Sequence, residues 1–246
     1  MKIAVIGAGA IGGVVAGYLK LKGQDVSLVA HSDSVKAVKE NGLHISGPRG
    51  EHKIKIDISE KLTYAPDLVI LATKTQDVEK ALKDNQAYLK NAIILSTQNG
   101  VSAEGLIAKY TAEENILSSI VMFGSTMLSP GRILHNFEGA LVIGRISGEN
   151  DAKLKEVARV LEEAFKVVIT EDIKGMKYLK LFVNATNCIP GILGVSMQEA
   201  YSDINVACVA IEIWKEGLGV AAKCGIKLVS LPDFPLERLT KLTSLR

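Results

Sequence analysis

The chain has 246 residues, of which 48% are hydrophobic and 23% charged, and its formal net charge is +2. This is the composition of a globular protein with one large or two modest domains, without the strongly basic surface of a nucleic-acid-binding protein. Three dispersed cysteines and four histidines without ligand spacing predict neither disulfides nor a metal site, which suits the cytoplasm. No uncharged apolar run free of glycine is long enough to predict a membrane span.

The first residues predict a nucleotide-binding turn. A short apolar strand runs into the pattern Gly7-x-Gly9-x-x-Gly12, and a helical pattern follows over 10–22. In such a turn Gly7 permits the change of direction, Gly9 lets the backbone approach a pyrophosphate, and Gly12 lets the helix pack against the strand. The helix N-terminus then faces the phosphates. The residues expected to contact a dinucleotide are therefore Gly7, Ala8, Gly9, Ala10, Ile11 and Gly12.

Strand and helix patterns alternate through the first two thirds of the chain. Strands are predicted over 26–30, 67–72, 92–97 and 116–123, and helices over 34–41, 78–89, 103–110 and 151–165. Two antiparallel pairs are also predicted, one joining 43–46 to 53–58 around Gly47-Pro-Arg-Gly50 and one joining 131–135 to 140–143. This alternation implies an α/β fold with a doubly wound, Rossmann-type parallel sheet.

Strand patterns nearly vanish after about residue 172, and helices are predicted over 174–186, 205–224 and 236–242. We therefore expect a Rossmann domain that binds the nucleotide over 1–170 and an all-helical substrate domain over 171–246. The apolar side chains of 205–224 can pack internally or against a second copy of the chain, so a homodimer is one of the arrangements that the sequence allows.

The loop after the second strand bears on the choice of cofactor. In open α/β sheets ligands bind outside the carboxyl ends of the strands. An acidic residue at this strand end is typical of NAD binding, whereas here His31, Ser32 and Lys36 can accept a 2′-phosphate, which favours NADP. The alternative is that Ser32 or Asp33 only caps the helix that follows.

Two further loops carry polar groups at strand ends. Lys74 directly follows a buried strand, where it can reach a phosphate, a carboxylate or the nicotinamide, although it can equally be a solvated loop lysine. Asn99 precedes Gly100 in a turn pattern, and at this strand end it can also hydrogen-bond the nicotinamide ribose or a substrate.

One helical pattern outside the sheet places polar groups together. Lys177, Lys180, Asn184 and Asn187 follow the spacing i, i+3, i+7 and i+10, which puts them on one helix face. An ammonium and two amides on an otherwise apolar helix can bind an oxyanion or protonate a carbonyl oxygen. The alternative is a solvated stripe at the surface.

Taken together, these segments make the chain resemble the ketopantoate reductase family. The matching pieces, in family order over nearly the whole chain, are MKIAVIGAGAIGG, ILATKTQDVEKAL, STQNGVSAE, SPGRILHNFEGALVIG and KYLKLFVNATNCIPGIL. The resemblance implies reduction of ketopantoate, a 2-oxo acid, to pantoate by NADPH in pantothenate synthesis. It also implies that Lys180 donates a proton to the keto oxygen, that Asn184 orients the substrate, and that Lys74 and Asn99 lie at the cofactor–substrate junction.

The chain departs from the family pattern at three places. The family generally has arginine at the position of His31, and it has an asparagine at the position of Cys188, so that Asn187, the candidate substrate ligand here, comes one residue early. Family members are also longer and supply a serine and a glutamate to the substrate from a later segment, so the helical domain is expected to be truncated. The alternatives are reduction of another 2-oxo acid and a non-catalytic NADP(H)-binding regulatory protein.

Overall fold

The structure is a computed structural model that describes residues 1–244. It divides into two compact units. The first comprises Met1–Gln98 and Ser102–Ile173, and the second comprises Asn99–Val101 and the chain from Lys174 onward.

The strands and helices of the described residues are as follows. The strands are β1 (Lys2–Ile6), β2 (Asp25–Val29), β3 (Leu43–Ser46), β4 (His52–Ile54), β5 (Asp57–Ser59), β6 (Leu68–Leu71), β7 (Ile93–Ser96), β8 (Ile116–Val121), β9 (Gly124–Ser129), β10 (Arg132–Phe137), β11 (Leu141–Gly144) and β12 (Val167–Ile169). The α-helices are α1 (Ala10–Leu21), α2 (Ser32–Asn41), α3 (Val78–Asn85), α4 (Ala103–Ile107), α5 (Ala152–Glu162), α6 (Ile173–Asn184), α7 (Cys188–Leu193), α8 (Met197–Ser202), α9 (Ile204–Lys223) and α10 (Leu236–Thr243).

The first unit is built on a large sheet with the strand order β12-β11-β8-β7-β6-β1-β2-β5. Neighbours from β5 through β8 are parallel, β11 is antiparallel to β8, and β12 is parallel to β11. The predicted α/β class, with a mainly parallel sheet and helices toward the C-terminus, is confirmed.

The central strand shows why its sequence is continuously apolar. Ile3 and Val5 pack in one core cluster with the inner faces of α1 and α5. Ala4 and Ile6 pack in a second cluster with α3, through residues such as Leu82. Because successive side chains of a strand point to opposite faces and both faces are covered by helices, every position of β1 from Ile3 on is buried.

A second sheet, with the order β4-β3-β10-β9, covers the outer face of α1, and the sequence did not predict it. A Cβ atom at Gly13 would collide with Ile133 of β10, and one at Gly17 would collide with Ile45 of β3. These two glycines, one helical turn apart, allow the second sheet to approach the helix. As a result α1 is buried between two sheets over most of its length.

Both predicted antiparallel pairs need correction. The first exists as β3 and β4, but its second strand ends at Ile54, and 57–59 forms β5, which pairs with β2 at the edge of the main sheet. The second pair is wrong: β10 pairs with β9 and β3, whereas β11 pairs with β8 in the other sheet. Local alternation of apolar residues predicts a strand but does not select its partner, which depends on residues distant in sequence.

The second unit is helical. The predicted helix 174–186 ends at Asn184 as α6, a turn follows, and α7 starts at Cys188. Two short helices, α7 and α8, were not predicted. The C-cap residue of α7 is Gly194, which has a φ of 70°, and the Oγ of Ser196 caps α8 by accepting from the N–H of Glu199 at 3.2 Å. No helix among residues 1–244 has the length and apolar character needed to cross a membrane.

Candidate functional site

The three glycines of the β1–α1 turn have different surroundings. Gly7 has a φ of 109°, and a Cβ atom there would lie 2.7 Å from the carbonyl carbon of Ala72. A Cβ atom at Gly12 would collide with the carbonyl oxygen of Gly7. Packing within the protein therefore requires glycine at both positions.

Gly9 differs, because packing within the protein does not require glycine at this position. A Cβ atom at this position would meet nothing within 4 Å. Gly9 is also the N-cap residue of α1, where no side chain caps the helix and no acidic residue stands in the first turn. Because the space is open and the start of the helix is uncapped, an anionic group can come close to the backbone here.

His31 and Ser32 follow the carboxyl end of β2, and both are exposed. His31 occupies the N-cap position of α2, and no side chain makes the capping hydrogen bond. Capping therefore does not occupy the Ser32 hydroxyl. Asp25 lies at the opposite end of the strand, at its first residue.

A loop that sequence reasoning missed borders this position. The N–H of Ala30 donates to the carbonyl of Ser59 at 3.0 Å, so the chain that follows β5 starts beside the end of β2. Glu60 and Lys61 are exposed in that loop, and the Oγ of Ser59 bonds the carbonyl of Lys61 at 2.6 Å. The sequence did not predict this loop because the pattern over 53–58 predicts a single strand, which the structure divides into β4 and β5.

Lys74 is exposed in the loop after β6. Its carbonyl accepts from the N–H of Asp77 at 2.9 Å, which closes a short 3₁₀ turn over Thr75–Asp77 and fixes the backbone of the lysine at the start of that turn. The turns that carry Gly7, His31 and Lys74 follow β1, β2 and β6, three neighbouring strands, at the same edge of the sheet. The first unit thus brings the turns that carry Gly7, His31 and Lys74 together at the carboxyl ends of its parallel strands.

Gln98, which was not a candidate from sequence, joins the loop after β6 to the chain segment after β7. It is 5% exposed, and its Nε2 donates to the carbonyls of Leu71 and Thr73, each at 2.9 Å. Asn99, the next residue, is exposed, belongs to the second unit and precedes Gly100, whose φ of 85° makes the predicted turn. The one feature of the sequence that could have indicated Gln98 is its position, since its amide side chain directly follows the predicted buried strand 92–97.

Lys180 and Asn184 lie one helical turn apart on α6, and Lys177 precedes them by a further turn. Lys177 is 3% exposed and Lys180 is partly buried. Burial, and then repulsion by the Lys177 ammonium, lower the pKa of Lys180 from 10.5 to about 8. An ammonium with this pKa gives up its proton more readily than an ordinary lysine does.

Asn187 does not share the α6 face that the spacing predicted. It lies in the turn after the helix and serves as the N-cap residue of α7, and its Nδ2 donates to the Oδ1 of Asn184 at 3.3 Å. The helix stops before this residue because 185–187 forms a turn, so Asn187 contacts Asn184 instead of extending the row. Cys188 is exposed with a free thiol.

The chain matches a family model described as ketopantoate reductase PanE/ApbA over residues 3–148. It is 31% identical to the 2-dehydropantoate 2-reductase of Pyrococcus horikoshii over 234 residues, which are 92% of this chain and 75% of that protein. The corresponding enzyme of Archaeoglobus fulgidus is 29% identical over 226 residues, 91% of this chain and 75% of the relative.

Solved structures give the same result. A D-mandelate dehydrogenase with NADH and anilino(oxo)acetate superposes with a TM-score of 0.85 at 28% identity, covering 99% of this chain and 79% of that one. A PanE/ApbA family ketopantoate reductase from Ralstonia eutropha superposes with a TM-score of 0.82 at 26% identity, covering 93% and 76%. The glycine turn, the parallel sheet and these similarities together identify the chain as a member of the ketopantoate reductase (PanE/ApbA) family of oxidoreductases.

Proposed function

We propose that the protein reduces 2-dehydropantoate to pantoate with NADPH as hydride donor. The observation that carries the proposal is the 31% identity to a 2-dehydropantoate 2-reductase over 92% of the chain. In this proposal residues 1–170 bind the nucleotide and residues 171–246 supply groups that act on the substrate.

The β1–α1 turn is proposed to hold the cofactor pyrophosphate. The open space at Gly9 and the uncapped start of α1 fit an anion, and Gly7, Ala8, Gly9, Ala10, Ile11 and Gly12 form that turn. His31 and Ser32 are proposed to contact the 2′-phosphate, because both are exposed where β2 ends and neither is acidic. A bound reduced nicotinamide supplies the hydride.

Lys180 is proposed to donate the proton. A keto oxygen gains negative charge as its carbon accepts hydride, and an ammonium stabilises that charge and then protonates it. A pKa of about 8 keeps Lys180 protonated at neutral pH while making the proton transferable. Asn184 and Asn187, which hydrogen-bond each other, are proposed to orient the substrate, and Lys74 and Asn99 to contact the nicotinamide ribose and the substrate.

The test is the steady-state oxidation of NADPH with 2-dehydropantoate, followed by absorbance. The Lys180→Ala variant is expected to lose about 100-fold or more in kcat, because the proton donor is gone, with unchanged affinity for NADPH. Lys174→Ala is the matched control, since Lys174 is an exposed lysine of the same helix, and it should behave like wild type. A mild defect in Lys180→Ala would remove the lysine from its assigned role.

A second candidate function is the reduction of another 2-oxo acid with NADH. It is favoured by the two complexes of D-mandelate dehydrogenase with NADH, which superpose with TM-scores of 0.85 and 0.83 at 28% and 29% identity. Comparing kcat/KM for 2-dehydropantoate and phenylglyoxylate, each with NADPH and with NADH, separates the two functions. Binding of NADPH without turnover of either acid would instead favour a regulatory protein.

A further inference from the structure

We infer that Gln98 is a positioning residue that locks the loop carrying Lys74 to the chain segment carrying Asn99. Gln98 precedes Asn99 by one residue, and its side chain is buried across the end of β6. Its Nε2 donates to the carbonyl of Leu71, the last residue of β6, and to the carbonyl of Thr73, one residue before Lys74.

The hydrogen-bond partners fix the orientation of this amide. The carbonyls of Leu71 and Thr73 can only accept, so the NH₂ group must face them, and the Oε1 then accepts from the Oγ of Ser96 at 2.9 Å. Both N–H donors and the oxygen are therefore engaged in a buried setting. Such a side chain has one conformation, and the backbone groups that it joins are held at a fixed separation.

Neighbouring bonds show that this is an extension of the sheet and not an isolated contact. The N–H and the Oγ1 of Thr97 both donate to the carbonyl of Leu71, at 3.1 and 2.9 Å. Gln98 continues the pairing past the last residues of β6 and β7 and carries it to Thr73. The two loops thus begin from a common hydrogen-bonded platform.

The expected benefit is preorganisation. Lys74 and Asn99 are exposed, so their loops would have to be ordered at the moment of ligand binding if the backbone were free. The hydrogen bonds of Thr97 and Gln98 order the backbone at the start of both loops before a ligand binds. This inference rests on the proposed function, in which Lys74 and Asn99 contact the nicotinamide ribose and the substrate.

The test replaces Gln98 by methionine, which keeps the length of the side chain and removes its hydrogen bonds. We expect kcat/KM for 2-dehydropantoate to fall about 10- to 100-fold, as when reacting groups are misplaced by about 1 Å. The affinity for NADPH should also fall, whereas the affinity for adenosine 2′,5′-bisphosphate should not change, because that fragment lacks the nicotinamide ribose.

Asn85→Leu is the matched control for deleting a buried amide. Asn85 is 3% exposed at the end of α3, its Oδ1 accepts from the N–H of Leu62 at 2.7 Å, and its Nδ2 donates to the carbonyl of Ala81 at 2.8 Å. Both variants should lower the thermal midpoint, but Gln98→Met alone should change the kinetics. Hydrogen exchange over residues 72–76 and 97–100 should accelerate in Gln98→Met and not in Asn85→Leu.

Each outcome decides the inference. Wild-type kinetics and wild-type exchange in a folded Gln98→Met protein would overturn it. If wild type reduces no 2-oxo acid, the proposed function fails, and the exchange comparison still decides whether Gln98 locks the loops.

If Gln98→Met does not fold, Gln98→Glu is the second variant, because it has the same shape as the wild-type side chain. Its defect in kcat/KM should deepen as rising pH ionises the carboxyl group, which faces two carbonyls. A pH profile parallel to that of wild type would overturn the inference.

Discussion

At the scale of single residues, the chemistry of the candidate site depends on burial. Lysine in water is protonated well above neutral pH, but the surroundings of Lys180 lower its pKa to about 8. Spacing in the sequence placed Lys177 one turn away, and the structure adds that this neighbour is buried. Burial disfavours the charged form of Lys180, and the ammonium of Lys177 on the same helix face repels it, so both effects favour proton release from Lys180.

The pH dependence follows from this shift. The proton donor is the charged form of Lys180, so kcat/KM for 2-oxo acid reduction should be constant below pH 8 and fall about tenfold per pH unit above it. Lys177→Met should move this decline to higher pH, because it removes the repelling charge. A pH–rate profile of wild type and this variant is the measurement, and an unchanged decline would contradict repulsion by Lys177 as a cause of the shift.

At the scale of elements, glycines allow close packing at two places on helix α1, the turn at its start and its outer face. The glycines at 7 and 12 shape the turn at its start, and those at 13 and 17 admit the second sheet along its outer face. Glycine is costly inside a helix, by about 1 kcal/mol relative to alanine. Close packing between two sheets offsets that cost.

The variant Gly17→Ala tests this balance. The added methyl group would collide with Ile45 and lie 2.9 Å from the Cδ1 of Ile54. We expect the free energy of unfolding to fall by about 1–3 kcal/mol through overpacking, despite the better helix propensity of alanine. Gly105→Ala in α4 is the control: its Cβ meets nothing within 4 Å, so this variant should be as stable as wild type or more so. Denaturant unfolding measures both, and equal effects would contradict the packing explanation.

At the scale of the whole molecule, the first unit depends on contacts between residues far apart in sequence. Arg49, in the loop between β3 and β4, forms a two-pronged ion pair with Glu138 at 2.6 and 2.8 Å and donates to the carbonyl of Ala164 at 2.6 Å. Its guanidinium also lies 4.4 Å from the ring centre of Tyr18 and 5.5 Å from that of Phe165. The pKa of Glu138 is lowered by its hydrogen bond to Arg49. This network joins the second sheet to the layers of the main sheet.

Replacing Arg49 by methionine should therefore destabilise the first unit by about 1–3 kcal/mol, through the loss of cation–π contact, packing and hydrogen bonds. NADPH affinity should not change, because the network is not among the groups proposed to bind it. Lys80→Met breaks the exposed ion pair with Asp84 and should have no measurable effect. Thermal unfolding compares the two variants, and equal midpoints would show that the Arg49 network adds no stability.

The sequence by itself determined the fold class, the glycine turn and the positions of most strands and helices in the first unit. These features depend on residues close together in the chain: a turn that needs glycine, and apolar runs buried on both faces. For the same reason the spacing of Lys180 and Asn184 alone places them one helical turn apart.

Only the tertiary structure decided which strands pair, where the second sheet lies, where the helix before Asn187 ends, and which buried amide joins the loops at the strand ends. Strand partners are chosen by packing between distant segments, so β5 and β10 could not be assigned from local alternation. The role of Gln98 depends on two carbonyls more than 20 residues earlier in the chain, and the pKa of Lys180 on its burial. Contacts and desolvation between distant parts of the chain leave no local pattern in the sequence.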